Sequence, residues 1–318
     1  MKILVTGAAG FIGSHLCEYL ADQNHEVIGL DGFTDYYSRK LKDINAAEVK
    51  KKGVTIHEYD LMNNDFKKAL PTDFDYIYHL AAQPGLSNRV SFKEYTKNNL
   101  HATANLIDFA KRNTKLKCFI NVSTSSVYGR EATSKESIAV EPASYYGVTK
   151  LAAEQLALSQ HRQGILKACS LRLYSVYGPR ERPEKLYTKL IDSILNDKTF
   201  PLYKGSMEHS RSFTYVGDAV KGLASVLNNT EACLGEIINV GSDKEIKTGD
   251  GIRIIEEIMG KKARFDIQAP LQGDQTQTLA IIDKAIRLLN YQPTTELKEG
   301  LQKQVEWYKK LFSKSLNK

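Results

Sequence analysis

Tyr146-Gly147-Val148-Thr149-Lys150 sets a phenol and an ammonium group four residues apart at the start of a helix-like run. On a helix those positions share a face. An ammonium beside a phenol favours phenolate and draws the tyrosine pKa down from its reference value of about 10. A proton acceptor useful near neutrality would result. Val122-Ser123-Thr124-Ser125-Ser126-Val127-Tyr128-Gly129 forms a second set, placed where an apolar strand-like run ends. Its hydroxyls would face the crevice outside the carboxyl ends of a parallel sheet, where they can bind a substrate hydroxyl and polarise a developing carbonyl. Taken singly, the first motif reads as a surface pair and the second as a turn.

A third element lies near the start of the chain. Thr6-Gly7-Ala8-Ala9-Gly10-Phe11-Ile12-Gly13 follows a strand-like run and opens a helix-like one. In such a turn Gly7 permits the sharp bend, Gly10 lets the backbone approach a pyrophosphate, and Gly13 lets helix and strand pack closely. The helix N-terminus offers free N–H groups and partial positive charge to phosphates. A second strand ends at Asp31, 18 residues beyond Gly13, where a carboxylate can accept the hydroxyls of an adenosine ribose. Gly32-Phe33-Thr34 carries no Arg or Lys for a 2′-phosphate, so NAD rather than NADP is the expected dinucleotide. Asp60, after the third strand, is either an adenine contact or a turn cap. His79-Leu80-Ala81-Ala82 ends the fourth strand with small residues, as expected where backbone passes beside a cofactor.

The elements that must position these groups follow from periodicity. Strands are expected at 2–6, 26–30, 54–58, 75–79, 117–122 and 166–172, and helices at 11–22, 65–69, 98–112 and 145–163. This alternation implies an α/β fold, a doubly wound parallel sheet of Rossmann type covered on both faces. After Tyr174 the pattern changes, with Gly178-Pro179-Arg180-Glu181-Arg182-Pro183 breaking regular structure. Helices are expected at 186–196, 218–227, 251–259, 283–289 and 297–310, and strands at 200–203, 212–216 and 236–240. The expected division is a dinucleotide-binding domain over 1–172 and a smaller mixed α/β substrate-binding domain over 173–318. Segments around 208–228 should pack back on the first.

The 318 residues suffice for a buried core, and 42% hydrophobic and 25% charged content are ordinary for a soluble globular protein. No stretch approaches the roughly 18–20 apolar residues of a membrane span. The apolar opening is short and enters a glycine turn, unlike a signal peptide, so a cytoplasmic protein is expected. Cys17, Cys118, Cys169 and Cys233 are widely separated without metal-ligand spacing, which favours buried thiols over zinc or disulfides. The net charge of +7 raises nucleic acid as a partner. The basic residues are scattered, however, densest at Lys50–Lys52 and at Lys309, Lys310, Lys314 and Lys318, with no basic stripe interleaved with aromatics. Neither nucleic acid nor membrane is an expected partner.

With these elements in place the chain resembles the extended short-chain dehydrogenase/reductases, in their nucleotide-sugar-modifying branch. TGAAGFIGSHL, HLAAQPG, STSSVYG, YGVTK, LRLYSVYGPRERP and RSFTYVGDA occur in family order over nearly the whole length. The resemblance implies Thr124 in the catalytic Ser/Thr slot, Tyr146 as acid/base and Lys150 as its partner. It implies an NAD site made of Gly7, Ala9, Gly10, Phe11, Ile12, Gly13, Asp31, Asp60, Leu61, Leu80, Ala81, Ala82, Asn99, Tyr146, Lys150 and Tyr174. A nucleotide sugar would be held by Thr124, Ser125, Ser126, Tyr146, Ser175, Arg182, Arg211 and Asp274, with Arg211 reaching the diphosphate. A homodimer through the helices at 98–112 and 145–163 is the family expectation.

Members abstract hydride from the sugar, usually at C4, and additional acid/base groups decide the fate of the keto sugar. The 4,6-dehydratases carry Asp-Glu after the catalytic threonine, and UDP-glucuronate decarboxylases a glutamate in the second of those positions. Ser125-Ser126 stands there in this chain, which disfavours both outcomes and leaves C4 epimerisation. Ser175 occupies a slot that holds Asn in UDP-galactose 4-epimerases and Thr or Ser in UDP-glucuronate 4-epimerases. With Thr124, Ser125 and Ser126 it can form a hydroxyl-rich pocket for a C6 carboxylate, without a lysine to clamp the ring. Departures from the uronate type are Leu86-Ser87 in place of Val-Arg, with Arg89 two positions late, and Ser212 after Arg211 with Gly217 before Asp218. Gln272-Gly273-Asp274 also lacks the arginine of galactose epimerases, and Ile281 replaces a frequent Asp. Neutral hexoses, N-acetylated sugars and other nucleotides stay open as substrates, as do decarboxylation or dehydration with an acid from elsewhere. An NAD-binding sensor or scaffold is the non-enzymatic alternative.

Overall fold

The structure is a computed structural model and describes residues 1–85, 90–270 and 274–316. Leu86, Ser87, Arg89, Gln272, Gly273 and Lys318 lie outside the described residues, as does the side chain of Lys314. Seven strands form one parallel sheet: β1 (Lys2–Thr6), β2 (Glu26–Asp31), β3 (Thr55–Glu58), β4 (Tyr76–His79), β5 (Cys118–Thr124), β6 (Ala168–Leu173) and β7 (Ile237–Val240). Their order is β7-β6-β5-β4-β1-β2-β3. The chain winds outward from β1 through β3, then restarts at β4 on the other side of β1. That reversal opens a crevice at the carboxyl ends of β1 and β4, the usual ligand position in such sheets.

Alternation along β1 explains the two-sided core. Ile3 and Val5 join Leu16 and Leu20 of helix α1 (Phe11–Asp22), while Leu4 joins Ile77, Phe119 and Phe109 on the opposite face. Burial of each such side chain contributes about 2 kcal/mol of transfer free energy. Helix α2 (Arg39–Lys51) follows β2, and helices α3 (Ala102–Ala110) and α4 (Tyr145–Arg162) cover the face lined by Leu106 and Ala157. The Ser144 hydroxyl caps α4 by accepting from the Gly147 N–H at 3.0 Å, a bond worth about 1 kcal/mol. A buried ion pair, Arg172 Nη2 to Glu154 Oε1 at 2.6 Å, ties α4 to β6.

The second half has its own core, in which Tyr187, Leu190, Ile252, Leu301 and Val305 meet. They come from helices α5 (Leu186–Leu195), α7 (Thr248–Met259) and α8 (Leu297–Leu316). Helix α6 (Val216–Ala224) returns to the Rossmann core through Val220 and Leu223, and the chain then supplies β7 beside β6. All four cysteines are buried free thiols, as expected.

Three expectations are corrected. The helix expected at 98–112 starts earlier, with Phe92–Tyr95, and passes through a π-helical stretch, Thr96–His101, before α3. The strand expected at 212–216 is two short ones. Ser210–Arg211 joins a four-stranded mixed sheet, and Thr214–Tyr215 pairs with Val176–Tyr177. Between them Ser212 gives its N–H to the Thr278 hydroxyl and its own hydroxyl to the Ser242 carbonyl, which interrupts the ladder. Arg39–Lys51, between the strands expected at 26–30 and 54–58, is a helix that was not among the expected elements.

Candidate active site

The glycine turn sits in the β1/β4 crevice. Gly7 has φ +73°, and a Cβ there would lie 3.0 Å from the Ala81 nitrogen. A Cβ on Gly13 would lie 2.1 Å from the Gly7 carbonyl oxygen, so only glycine lets α1 start this close to β1. Gly10 precedes α1, which has no side-chain cap. The first-turn N–H groups of Phe11, Ile12 and Gly13 are therefore left for an anion. Asp31 is buried and accepts from the Ala9 N–H at 2.9 Å and the Phe33 N–H at 2.8 Å. Burial holds its carboxyl above the usual range, against those bonds and Lys42. The donors, the close backbone and the carboxylate together fit a dinucleotide.

Other expected cofactor residues surround this turn. Leu80 and Ala81 lie against Gly7 and give their N–H groups to the Thr6 hydroxyl at 3.2 and 3.1 Å. The next residue, Ala82, is partly exposed. Asp60 accepts from the Met62 N–H at 2.9 Å, which makes it a turn cap, while its Cα lies 3.4 Å from a Cβ built on Gly32. Leu61 is buried and its carbonyl accepts from Asn105. Asn99, within the π-helical stretch, is buried; it accepts from the Gln83 N–H at 2.7 Å and donates to the Thr149 hydroxyl at 3.0 Å. Tyr174 is buried beside Tyr128, with the ring centres 6.3 Å apart.

At the carboxyl end of β5 the chain makes a 3₁₀ turn, Ser125–Tyr128, capped by the Thr124 hydroxyl, which accepts from the Ser126 N–H at 3.2 Å. A Cβ on Gly147 would lie 2.5 Å from the Ser126 carbonyl oxygen. The absent side chain lets α4 rest on this turn, which brings the Tyr146 phenol beside the Thr124 hydroxyl. Burial raises the Tyr146 pKa, opposed by Thr124 and by the charge of Arg182. This corrects the expectation that Lys150 lowers it. The Lys150 ammonium turns instead to the Val122 carbonyl, 2.6 Å away, and burial lowers it to about 8. Sharing a helix face fixes where both side chains leave the backbone, not where they end, and the strand carbonyl captures the ammonium.

The expected substrate residues fall into two groups. Thr124 is in register with Leu173, so Ser125 and Ser126 leave β5 beside the place where Ser175 leaves β6. Ser175 has φ +21°, a strained value for a residue other than glycine. Arg211, largely buried, donates to Asp274 at 3.3 Å, and His209 lies 3.5 Å from the same carboxylate. Arg182 is ion-paired to Glu184 at 2.6 Å and lies 5.8 Å from the Tyr36 ring centre. Tyr36, Glu184 and Gln275 were not expected from the sequence. Gln275 donates to the Ser125 and Gly129 carbonyls at 3.2 and 2.9 Å, and only the fold brings it there. Its place directly after Asp274 was the one available signal.

Residues 3–241 match the model of the NAD dependent epimerase/dehydratase family. The chain belongs to that family. It is 38% identical to the uncharacterized UDP-glucose epimerase YtcB of Bacillus subtilis, over 98% of this chain and 99% of that protein. It is 34% identical to UDP-glucuronate 4-epimerase 4 of Arabidopsis thaliana, over 98% of this chain and 76% of that protein. Among solved structures it is similar to the UDP-glucuronic acid 4-epimerase of Bacillus cereus in complex with UDP-glucuronic acid and NAD. That similarity has a TM-score of 0.92 and 38% identity, and covers 98% of this chain and 100% of the other. Membership in the epimerase/dehydratase family agrees with the Rossmann sheet and the glycine turn. Among the described residues no group of His, Cys, Asp and Glu could hold a metal ion, and no helix is long and apolar enough to cross a membrane.

Proposed function

We propose that the chain is an NAD-dependent nucleotide-sugar 4-epimerase that interconverts UDP-glucuronate and UDP-galacturonate. The observation that carries this reading is the Thr124–Tyr146 hydroxyl pair at the crevice, with Ser125 and Ser126 where a dehydratase or decarboxylase needs carboxyls. The uronate epimerases among its relatives support the same substrate pair.

NAD, when bound, supplies the hydride acceptor and later the hydride donor. Gly7 through Gly13, with Ala9, Gly10, Phe11 and Ile12, receive the pyrophosphate, and Asp31 the adenosine ribose. Asp60, Leu61, Leu80, Ala81, Ala82, Asn99 and Tyr174 line the rest of that site. Tyr146 takes the C4 hydroxyl proton and Thr124 steadies the oxygen that becomes a carbonyl. Lys150, one helical turn beyond Tyr146, ties α4 to β5 through its ammonium on the Val122 carbonyl. Ser125, Ser126 and Ser175 hold the C6 carboxylate by hydroxyls alone, which leaves the keto sugar free to turn over. Arg211, balanced by Asp274, and Arg182, balanced by Glu184, receive the diphosphate. Once the keto sugar has turned its other face to the hydride donor, Tyr146 returns the proton to the C4 oxygen.

Residues 1–172 serve the dinucleotide and 173–318 the nucleotide sugar, with the segments around 208–228 packed back on the sheet. Exposed Phe92, Tyr145 and Val148 give the face around α4 an apolar surface suited to a second copy of the chain, so a cytoplasmic homodimer is the expected form. Purified protein incubated with UDP-glucuronate, without added reductant, should yield UDP-galacturonate by NMR. Released carbon dioxide or a stable 4-keto-6-deoxy sugar would overturn the epimerase reading. The Bacillus subtilis relative, a UDP-glucose epimerase by name, favours UDP-glucose and UDP-galactose as a second pair for the same assay.

A further inference from the structure

Residues 32–34 carry no cation, yet the fold delivers one to the same loop. Arg39, at the start of α2, lays its guanidinium over the Phe33 ring, 4.1 Å from the ring centre. Phe33 in turn gives its N–H to the Asp31 carboxylate at 2.8 Å. A guanidinium beside the ribose-binding carboxylate is what a 2′-phosphate would seek, because arginine binds phosphate in a bidentate fork. In this chain that fork is already filled. Glu58 accepts both terminal nitrogens, at 2.7 and 2.8 Å, and Asp43 accepts the Nε–H at 2.8 Å. Glu58 owes its place to the sheet: it is the register partner of Asp31 on β3, so the two carboxylates leave adjacent strands side by side. The nearby Lys42 is committed as well, to the carbonyl and hydroxyl of Thr34.

We propose that Glu58 is a cofactor-specificity residue, which clamps Arg39 and so denies 2′-phosphorylated dinucleotides the cation this loop would otherwise offer. The proposal rests on the NAD reading of the glycine turn and of Asp31. Asp31 repels a 2′-phosphate directly. The clamp removes the compensating attraction, so selection for NAD is made by two carboxylates on neighbouring strands. Both partners of the clamp are about half exposed, at 50% for Arg39 and 54% for Glu58, so replacing either leaves the core untouched.

The test measures binding of NAD and of NADP to protein stripped of dinucleotide, for the unaltered chain and for Glu58→Gln, Arg39→Ala and the double variant. Glu58→Gln should tighten NADP by about tenfold, the worth of one charge-assisted contact to a phosphate, with little change for NAD. The double variant should lose that gain, because the freed arginine is its source. A Glu58→Gln protein whose NADP affinity moves no more than its NAD affinity would overturn the proposal. So would a gain that survives in the double variant. Failure of the unaltered chain to take up NAD would overturn the underlying reading of the glycine turn instead.

Discussion

Gly147 and Ser126 touch backbone to backbone, so closely that a Cβ on Gly147 would fall 2.5 Å from the Ser126 carbonyl oxygen. That contact seats the first turn of α4 on the turn after β5 and sets the distance between Tyr146 and Thr124. Gly147→Ala should push the two apart. The expected cost is about 1–3 kcal/mol of stability from overpacking, with kcat lowered more than NAD binding. Denaturant melts and NMR turnover assays on one preparation check both parts.

Tyr146→Phe keeps the ring and removes the proton acceptor. NAD should still bind, while turnover falls by about 10²–10⁴-fold, the usual worth of a positioned acid/base group. Unchanged turnover would remove Tyr146 from the mechanism.

Lys150 gives the dinucleotide-free protein a pH signature. Its ammonium titrates at about 8 in the fold and near 10.5 as an ordinary lysine, because burial penalises the charge. Between those values the unfolded chain binds more protons than the folded one, so stability rises with pH by up to about 3 kcal/mol. Below about 8 the lysine is charged in both states and its penalty is constant. Above about 10 buried tyrosines such as Tyr78, held neutral by the fold, act in the opposite direction. Lys150→Met should therefore flatten the rise between pH 8 and 10 in thermal melts and also abolish turnover. A rise that persists in the variant would assign it to other groups.

Arg211 is largely buried and pairs with Asp274, 3.3 Å away. Arg211→Ala should raise KM for the nucleotide sugar by about 10–100-fold, the range for a hydrogen bond to a charged group. The effect on kcat should be smaller, since the C4 centre is served by Tyr146 and Thr124. Steady-state kinetics across nucleotide-sugar concentrations separate the two.

The Rossmann half was legible because its signals are periodic and apolar. Strand Lys2–Thr6 and helix Phe11–Asp22 have the bounds the sequence suggests. The π-helical stretch Thr96–His101 was not legible, since one extra residue per turn leaves no separate apolar stripe. Helix α2 buries chiefly Lys42, Asn45, Ala46 and Val49, so its inner face looks polar in the sequence. The two-residue strands of the mixed sheet are too short to carry any period. In the site, Thr124, Tyr146 and Arg211 could be read from motifs. The direction of Lys150 and the arrival of Gln275, Glu184 and Tyr36 depend on tertiary packing that no local pattern encodes.

Hydride that leaves the sugar and returns to the same carbon within one turnover can be followed with UDP-glucuronate deuterated at C4. UDP-galacturonate that keeps its deuterium at C4, formed in ordinary water without added NAD or NADH, is the expected product. Loss of the deuterium to solvent, or its appearance at another carbon, would contradict a hydride lent and taken back by a resident cofactor.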